Sequence, residues 1–565
     1  MTSISLNRLL DRLDESKQDF SAAGRARIAT MLRRLSQSRI DDLEALVRYH
    51  EALLFLRAYP QDAKLLKLAE TELRSFAERV EKLADSGTDL LSLEHPEISG
   101  IAGTGVSDTF GYHIARWLVR SEQGRVALDE DWVEDESRLA ATLPRFIPLL
   151  EEDAMVEANV PYRKWLRGGK GRKSELEWLI ERFEGLKKSN AEIAELYESL
   201  RLYVRWLPPY RATRTGMRLP VRRIFFHNQP LIRRKDVSLV AELKKPALQV
   251  ETLSRIAGQK ILDLARETST VRYRELWGFT HGDEACVVKI ELGRGVQLFV
   301  SGVSPEWRLP LRAYHAAMIF KNGIPVGYFE GLSLFERMES GFNLYYTFRD
   351  GETAWLYTQI LRVFKQLLGV TTFTLDPYQI GFENEEGIES GAFWFYRKLG
   401  FRPTRKDLLE LTLREEKKLA NRPGYRTPAS TLRKLAAGYM IFELAPARGA
   451  NWDAFQVRNI GLAVQRLMAK EFDGNPERFR SQAIEETASL LKLNQLKSTE
   501  RRALEYLALP LMLIPDLKRW SEPEKELLRK IILAKASSNE SRYLRLMQRH
   551  TRFRAEIIRL GSMRS

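Results

Sequence analysis

The fold is decided by residues 341–403, GFNLYYTFRDGETAWLYTQILRVFKQLLGVTTFTLDPYQIGFENEEGIESGAFWFYRKLGFRP. A strand pattern over 341–348 gives way to a polar turn, Arg349-Asp350-Gly351-Glu352, and then to an apolar-periodic helix over 354–368. Residues 370–375 form a short run of β-branched and aromatic residues, which reads as a second strand. An acidic loop holding Glu383, Glu385, Glu386 and Glu389 leads into a helix over 390–399, and the stretch closes on Phe395-Tyr396-Arg397-Lys398-Leu399-Gly400-Phe401. Strands alternating with helices in this way call for a sheet covered by helices.

Upstream, residues 285–292, 296–303, 312–320 and 324–334 also read as strands. Asn322-Gly323 joins the last two, and both residues tolerate the positive φ that a two-residue hairpin turn demands. On either side the chain turns helical. Ile28, Met31, Leu32 and Leu35 recur at three and four, as do Leu66, Ala69, Leu73 and Phe76. Residues 453–471, 476–493 and 522–535 behave likewise, with a short strand expected at 439–444. The expected organisation is therefore α+β. It comprises a helical domain (1–200), a basic, aromatic-rich connecting segment and helix (201–270), a mixed-sheet domain (271–415) and a helical domain (416–565).

With 565 residues, 44% of them hydrophobic and 29% charged, the chain has the composition of a globular protein with more than one core. The longest apolar run, 506–515, is about half a membrane span, so no membrane is expected and the cytoplasm is the expected location. A single cysteine, Cys286, excludes an internal disulfide and a zinc-finger set. The net charge of +15 points to anionic partners, and its distribution is uneven. Residues 201–235 contain ten basic side chains and no acid, interleaved with Tyr203, Trp206, Tyr210, Phe225 and Phe226. Arg222, Arg223, Arg233 and Arg234 are the anion-binding candidates there, with tRNA or another nucleic acid as the partner, because phosphates take the charge and bases take the ring faces. The competing reading is a basic strap between domains, held extended by Pro208, Pro209 and Pro220.

Residues 285–415 resemble the GNAT family of N-acyltransferases. The resemblance rests on the order hairpin, strand, turn, helix, strand, helix and on residues 395–401, which match the family's closing motif of aromatic, Tyr, two variable residues, a further residue, Gly and Phe. It implies a fold in which two neighbouring strands splay to receive a pantetheine arm, while the helix after the first of them receives a pyrophosphate. Acetyl-CoA or another acyl-CoA would then be the acyl donor, and an amine on a small molecule or a protein the acceptor. Tyr346, Thr347, Phe348, Arg349, Gly351, Thr353 and Ala354 would line the cofactor path. In the turn, Arg349 and Ala354 fit the family pattern, but Glu352 stands where glycine is expected. A carboxylate pointing into that turn would repel pyrophosphate.

By the same resemblance Tyr396 would protonate the departing thiolate. Chemistry leaves two candidates for the base that takes the amine proton, Glu330 and Glu389. Tyr345, Glu385 and Glu386 are the acceptor-binding candidates, the acids suiting a cationic amine. A related branch, the Fem-type transferases, uses aminoacyl-tRNA in place of a CoA thioester. A non-catalytic binding protein built on the same scaffold is the third reading.

Other motifs fall away. Residues 99–107 are glycine-rich but fit neither phosphate-loop spacing, and 167–174 lack the glycine directly before Lys173. The acidic run Asp129 to Glu136 reads as a solvated helix start. His281, Asp283, Glu284 and Cys286 do not share one face of a strand, so no metal is assigned.

Overall fold

The computed structural model describes residues 3–129, 136–146, 162–445 and 451–563. Most of the acidic run, residues 130–135, lies outside them. The architecture is mixed α+β with a large mixed sheet. Among the described residues no helix is long and apolar enough to cross a membrane.

Three short strands, β1 (Val106–Asp108), β2 (Val126–Leu128) and β3 (Val204–Trp206), form a small antiparallel sheet with β3 in the middle. The large sheet has nine strands: β4 (Val250–Thr252), β5 (Val288–Gly293), β6 (Val296–Gly302), β7 (Ala313–Lys321), β8 (Ile324–Leu334), β9 (Arg337–Leu344), β10 (Thr372–Leu375), β11 (Arg402–Pro403) and β12 (Met440–Glu443). Their order is β11-β12-β10-β9-β8-β7-β6-β5-β4, antiparallel throughout except for the parallel pair β9–β10. The β7–β8 hairpin turns on Asn322 (φ 50) and Gly323 (φ 80), as the dipeptide demands. A Cβ on Gly323 would lie 2.2 Å from the Leu219 carbonyl, so the close approach also needs glycine.

Alternation gives β9 two unlike faces. Met338, Ser340, Phe342 and Leu344 lie on the side covered by the helix Thr353–Leu368, where Phe342 meets Tyr357 and Phe329 meets Phe364 at ring-centroid distances of 5.1 and 4.9 Å. Gly369 ends that helix in the left-handed region (φ 75), its amide bonded to the Lys365 carbonyl. The opposite face of β9 carries Arg337, Glu339, Gly341 and Asn343 and stays polar.

The domain boundaries differ from expectation. One continuous core runs from Leu6 to Leu560 and joins the N-terminal helices, the sheet and the C-terminal helices. A second core, from Val106 to Val271, belongs to the small sheet and its helices. The region 1–200 thus divides between two cores, β4 of the connecting segment is an edge of the large sheet, and β12 extends that sheet beyond 415. The three-residue strands β1 to β4 leave no periodicity for sequence reasoning to find.

Candidate active site

β9 and β10 pair only over Arg337–Glu339 against Thr372–Thr374. Beyond that, β9 continues for five residues bonded to β8 alone, while β10 ends at Leu375 and a 3-10 turn, Pro377–Ile380, carries the chain away. The two strands therefore part. Gln379 stands in the opening, its Nε2 donating to the Phe342 carbonyl at 2.9 Å and to the Tyr396 hydroxyl at 3.1 Å. Arg349 Nε donates to the next gap-side carbonyl, that of Leu344, at 3.2 Å. Two long side chains thus satisfy backbone acceptors that a third strand would otherwise have covered.

Tyr396 sits on the short helix Ala392–Arg397 with its ring edge against Tyr357 and Phe401, 3% exposed. Burial drives its pKa up, so the phenol is protonated at neutral pH. Because its oxygen accepts from Gln379, its own proton is free to be given away. Across the sheet, Glu330 pairs in register with Gly341, and a Cβ on Gly341 would lie 3.8 Å from the Glu330 carbonyl oxygen and 3.8 Å from Gln379 Oε1. The missing side chain leaves an opening between Glu330 and Gln379. Glu330 accepts a hydrogen bond from Tyr314, and burial raises its pKa against the lowering effect of that bond.

The structure corrects several expected placements. The strand ends at Leu344 rather than 348, because residues 346–348 close into a 3-10 turn, with Phe348 N bonded to the Tyr345 carbonyl. Tyr346, Thr347 and Phe348 therefore do not present a strand edge, and Tyr345 and Tyr346 do not alternate across a sheet. Tyr345 is buried under the Arg272 guanidinium, 4.0 Å from the ring centroid, whereas Tyr346 is 66% exposed. Phe348 packs into the core, and Thr347 donates its hydroxyl to Glu51 of the helix Leu43–Ala58. Glu389 is exposed and takes no part in the opening. Glu385 pairs with Arg433 and Glu386 with Arg349, so half of the acidic loop is already neutralised.

Glu352 turns away from the start of the helix. Its carboxylate is buried between Arg294 (2.5 Å) and Lys321 (3.3 Å) and accepts from the Ile232 amide (3.2 Å). The expected repulsion of pyrophosphate is thereby removed, but a different obstacle replaces it. Gly351 lies beneath Tyr59, whose hydroxyl would be 2.3 Å from a Cβ there, and Lys17 reaches Asp350 at 3.3 Å. Thr353 spends its hydroxyl on the Arg349 carbonyl, and Ala354 is buried. The N-terminal helices thus form a roof over the turn.

The basic segment is divided in use. Arg211 pairs with Glu122 and Glu267, Arg214 with Glu51 and Arg218 with Glu70, which makes this half a strap between elements. Arg222, Arg223 and Arg233 are exposed, with no ion-pair partner among the described residues, and Arg234 donates to the Lys398 carbonyl at 3.2 Å. The strap therefore runs from the turn at Glu352 to the end of the helix that carries Tyr396.

Cys286 ends a 3-10 turn, Glu284–Cys286, rather than entering a strand, with Sγ donating to the Ser538 carbonyl at 2.7 Å. Burial and the neighbouring Asp283 push its thiol up to about 12. Iodoacetamide at neutral pH is expected to leave the native protein unlabelled and to label it once after denaturation. Rapid native labelling, read by intact mass, would contradict the placement.

Sequence reasoning missed Gln379 and Tyr314. The signal for Gln379 was the Asp376-Pro377 turn start, which fixes where the third following residue points. Compared with protein-family models, curated proteins and solved structures, the chain matches none.

Proposed function

We propose that the chain is an acyltransferase that moves an acyl group from a CoA thioester to an amine at the opening between β9 and β10. The observation that supports this is the parting of the strands at Ser340, with Gln379 bridging the Phe342 carbonyl and the Tyr396 hydroxyl. An amide of a pantetheine arm could replace the Gln379 carboxamide on the same carbonyl, since its single N–H can donate there as Gln379 Nε2 does. In this reading the amine nitrogen bonds to the thioester carbonyl carbon and the C–S bond breaks. Glu330 takes the amine proton, its raised pKa making it a better base than an exposed carboxylate. Tyr396 gives its proton to the departing sulfur and regains one from solvent or from Glu330.

Thermal denaturation with CoA, acetyl-CoA and longer acyl-CoAs tests the reading. A ligand at about 100 times its Kd adds about 2.7 kcal/mol, a shift of a few degrees for a chain of this size. Tyr396→Phe is expected to keep that shift while slowing transfer about 10²-fold. No shift with any thioester or with CoA would remove the proposal.

A further inference from the structure

A cleft of about 1350 Å³ lies on the polar side of the sheet at the ends of β10, β11 and β12. Arg337 forms part of its floor. That guanidinium is 5% exposed and lies between the rings of Trp452 and Phe455, 5.6 and 5.4 Å from their centroids. Its Nε is buried without a hydrogen-bond partner, and its closest acid, Glu339, is 3.5 Å from Nη2. A buried guanidinium holding a single long contact is under-satisfied, since it offers five donors in a planar fork suited to a carboxylate.

The remaining lining charges say more about the ligand. Arg405 is matched by Asp407 at 2.5 Å, and Asp453 by Arg402 at 3.0 Å. With those pairs set aside, Arg337, Lys406 and Arg458 face Asp376 and Glu383, an excess of one positive charge with both signs present. A ligand with a free carboxylate and an amine complements such a wall. Tyr439 also lines the cleft, its hydroxyl pushed up to about 12 by burial and by Glu339 and Asp376. Tyr378 and Phe382, 61% and 43% exposed, supply ring faces at the rim.

From Arg337 the polar side of β9 leads toward the opening described above. Arg337, Glu339, Gly341 and Asn343 share one side of β9, and the last three are only partly covered. From Arg337 to Gly341 is four residues of strand, about 13 Å. An extended peptide of three or four residues has that reach at ~3.3–3.6 Å per residue. The volume likewise exceeds the ~300–1,000 Å³ usual for small-molecule sites.

We propose that this cleft binds a short peptide whose free α-carboxylate docks on Arg337 and whose amino end extends along β9 to Gly341 and Glu330. Its role as the acceptor rests on the transferase reading, whereas its binding does not. The test is affinity selection of pooled tripeptides by the full chain, with the same tripeptides as C-terminal amides in a second arm, read by mass spectrometry. Free acids are expected to be retained over amides by about tenfold, the discrimination of a charge-assisted hydrogen bond. Arg337→Gln, checked for folding by circular dichroism, is expected to lose that preference. Equal retention of acids and amides by the wild-type chain overturns carboxylate docking without reference to any variant, and no retention of either overturns the site. Retained peptides together with no response to any acyl-CoA would support the cleft and remove the transferase.

Discussion

Glu352→Ala is expected to destabilise the protein by about 3–5 kcal/mol, the usual cost of leaving one partner of a buried ion pair alone. The carboxylate is 1% exposed and is the acid that holds Lys321, itself fully buried, and Arg294. Burial pulls the Lys321 ammonium down to about 8 even with the carboxylate beside it, so the site strains to keep that charge. The nearby His227 is pushed down to about 3 by burial and by Lys321, and so brings no anion and adds no cation. Lys321 does retain the Arg294 carbonyl (2.6 Å) and the faces of Tyr59 and Phe225. These contacts stabilise an ammonium but do not neutralise it. Urea denaturation of the single variant and of Glu352→Leu with Lys321→Met measures the effect. The double variant is expected to recover the part of the loss that belongs to the buried Lys321 ammonium, because an apolar pair of similar volume carries no desolvation cost, while Arg294, a quarter exposed, keeps access to water. A single-variant loss below about 1 kcal/mol, the size of an exposed pair, would mean that the charges reach water.

Stability is also expected to collapse on acidification. Burial is the leading cause that pushes His227 and His281 down to about 3 and His315 to about 4, and all three are under a tenth exposed. Their folded forms stay neutral while the unfolded chain protonates them near the ordinary value of about 6.5. The unfolded state therefore binds more protons, so this stability is complete above about pH 6.5 and is lost as pH falls toward the folded values. At pH 5 each histidine would cost about 2 kcal/mol, and three together about 6 kcal/mol, much of an ordinary folding free energy. Urea midpoints followed from neutral pH downward should fall steeply, and His315→Asn should make that fall shallower by about one proton. A midpoint unchanged down to pH 5 would contradict the burial of these rings.

What the sequence disclosed and what it hid follow from the range of the interactions. The hairpin at Asn322-Gly323, the helix ending at Gly369 and the strands at 372–375 and 440–443 were legible, because turn chemistry and periodicity act within a few residues. The end of β9 was not legible, since Tyr345 to Phe348 are all good strand formers and the turn is marked by the Phe348 to Tyr345 and Arg349 to Tyr346 backbone hydrogen bonds. Glu330 and Glu389 were equal candidates until register set Glu330 against Gly341 and left Glu389 in solvent. The roof over the turn was beyond sequence reasoning, because Thr347 and Glu51 are 296 residues apart. The same holds for Arg337, whose flanking rings come from residues 452 and 455.

The shared core also bears on how the protein is made. Arg308 donates to the carbonyls of Lys535 and Ser537, Tyr543 donates to Leu311, and Gln548 caps Phe335 and Leu368, each reaching more than 170 residues along the chain. During synthesis the nine-stranded sheet is therefore complete in sequence before the helices that cover it have left the ribosome. For that interval its apolar side lacks the cover of the C-terminal helices, a window in which non-native association competes with folding.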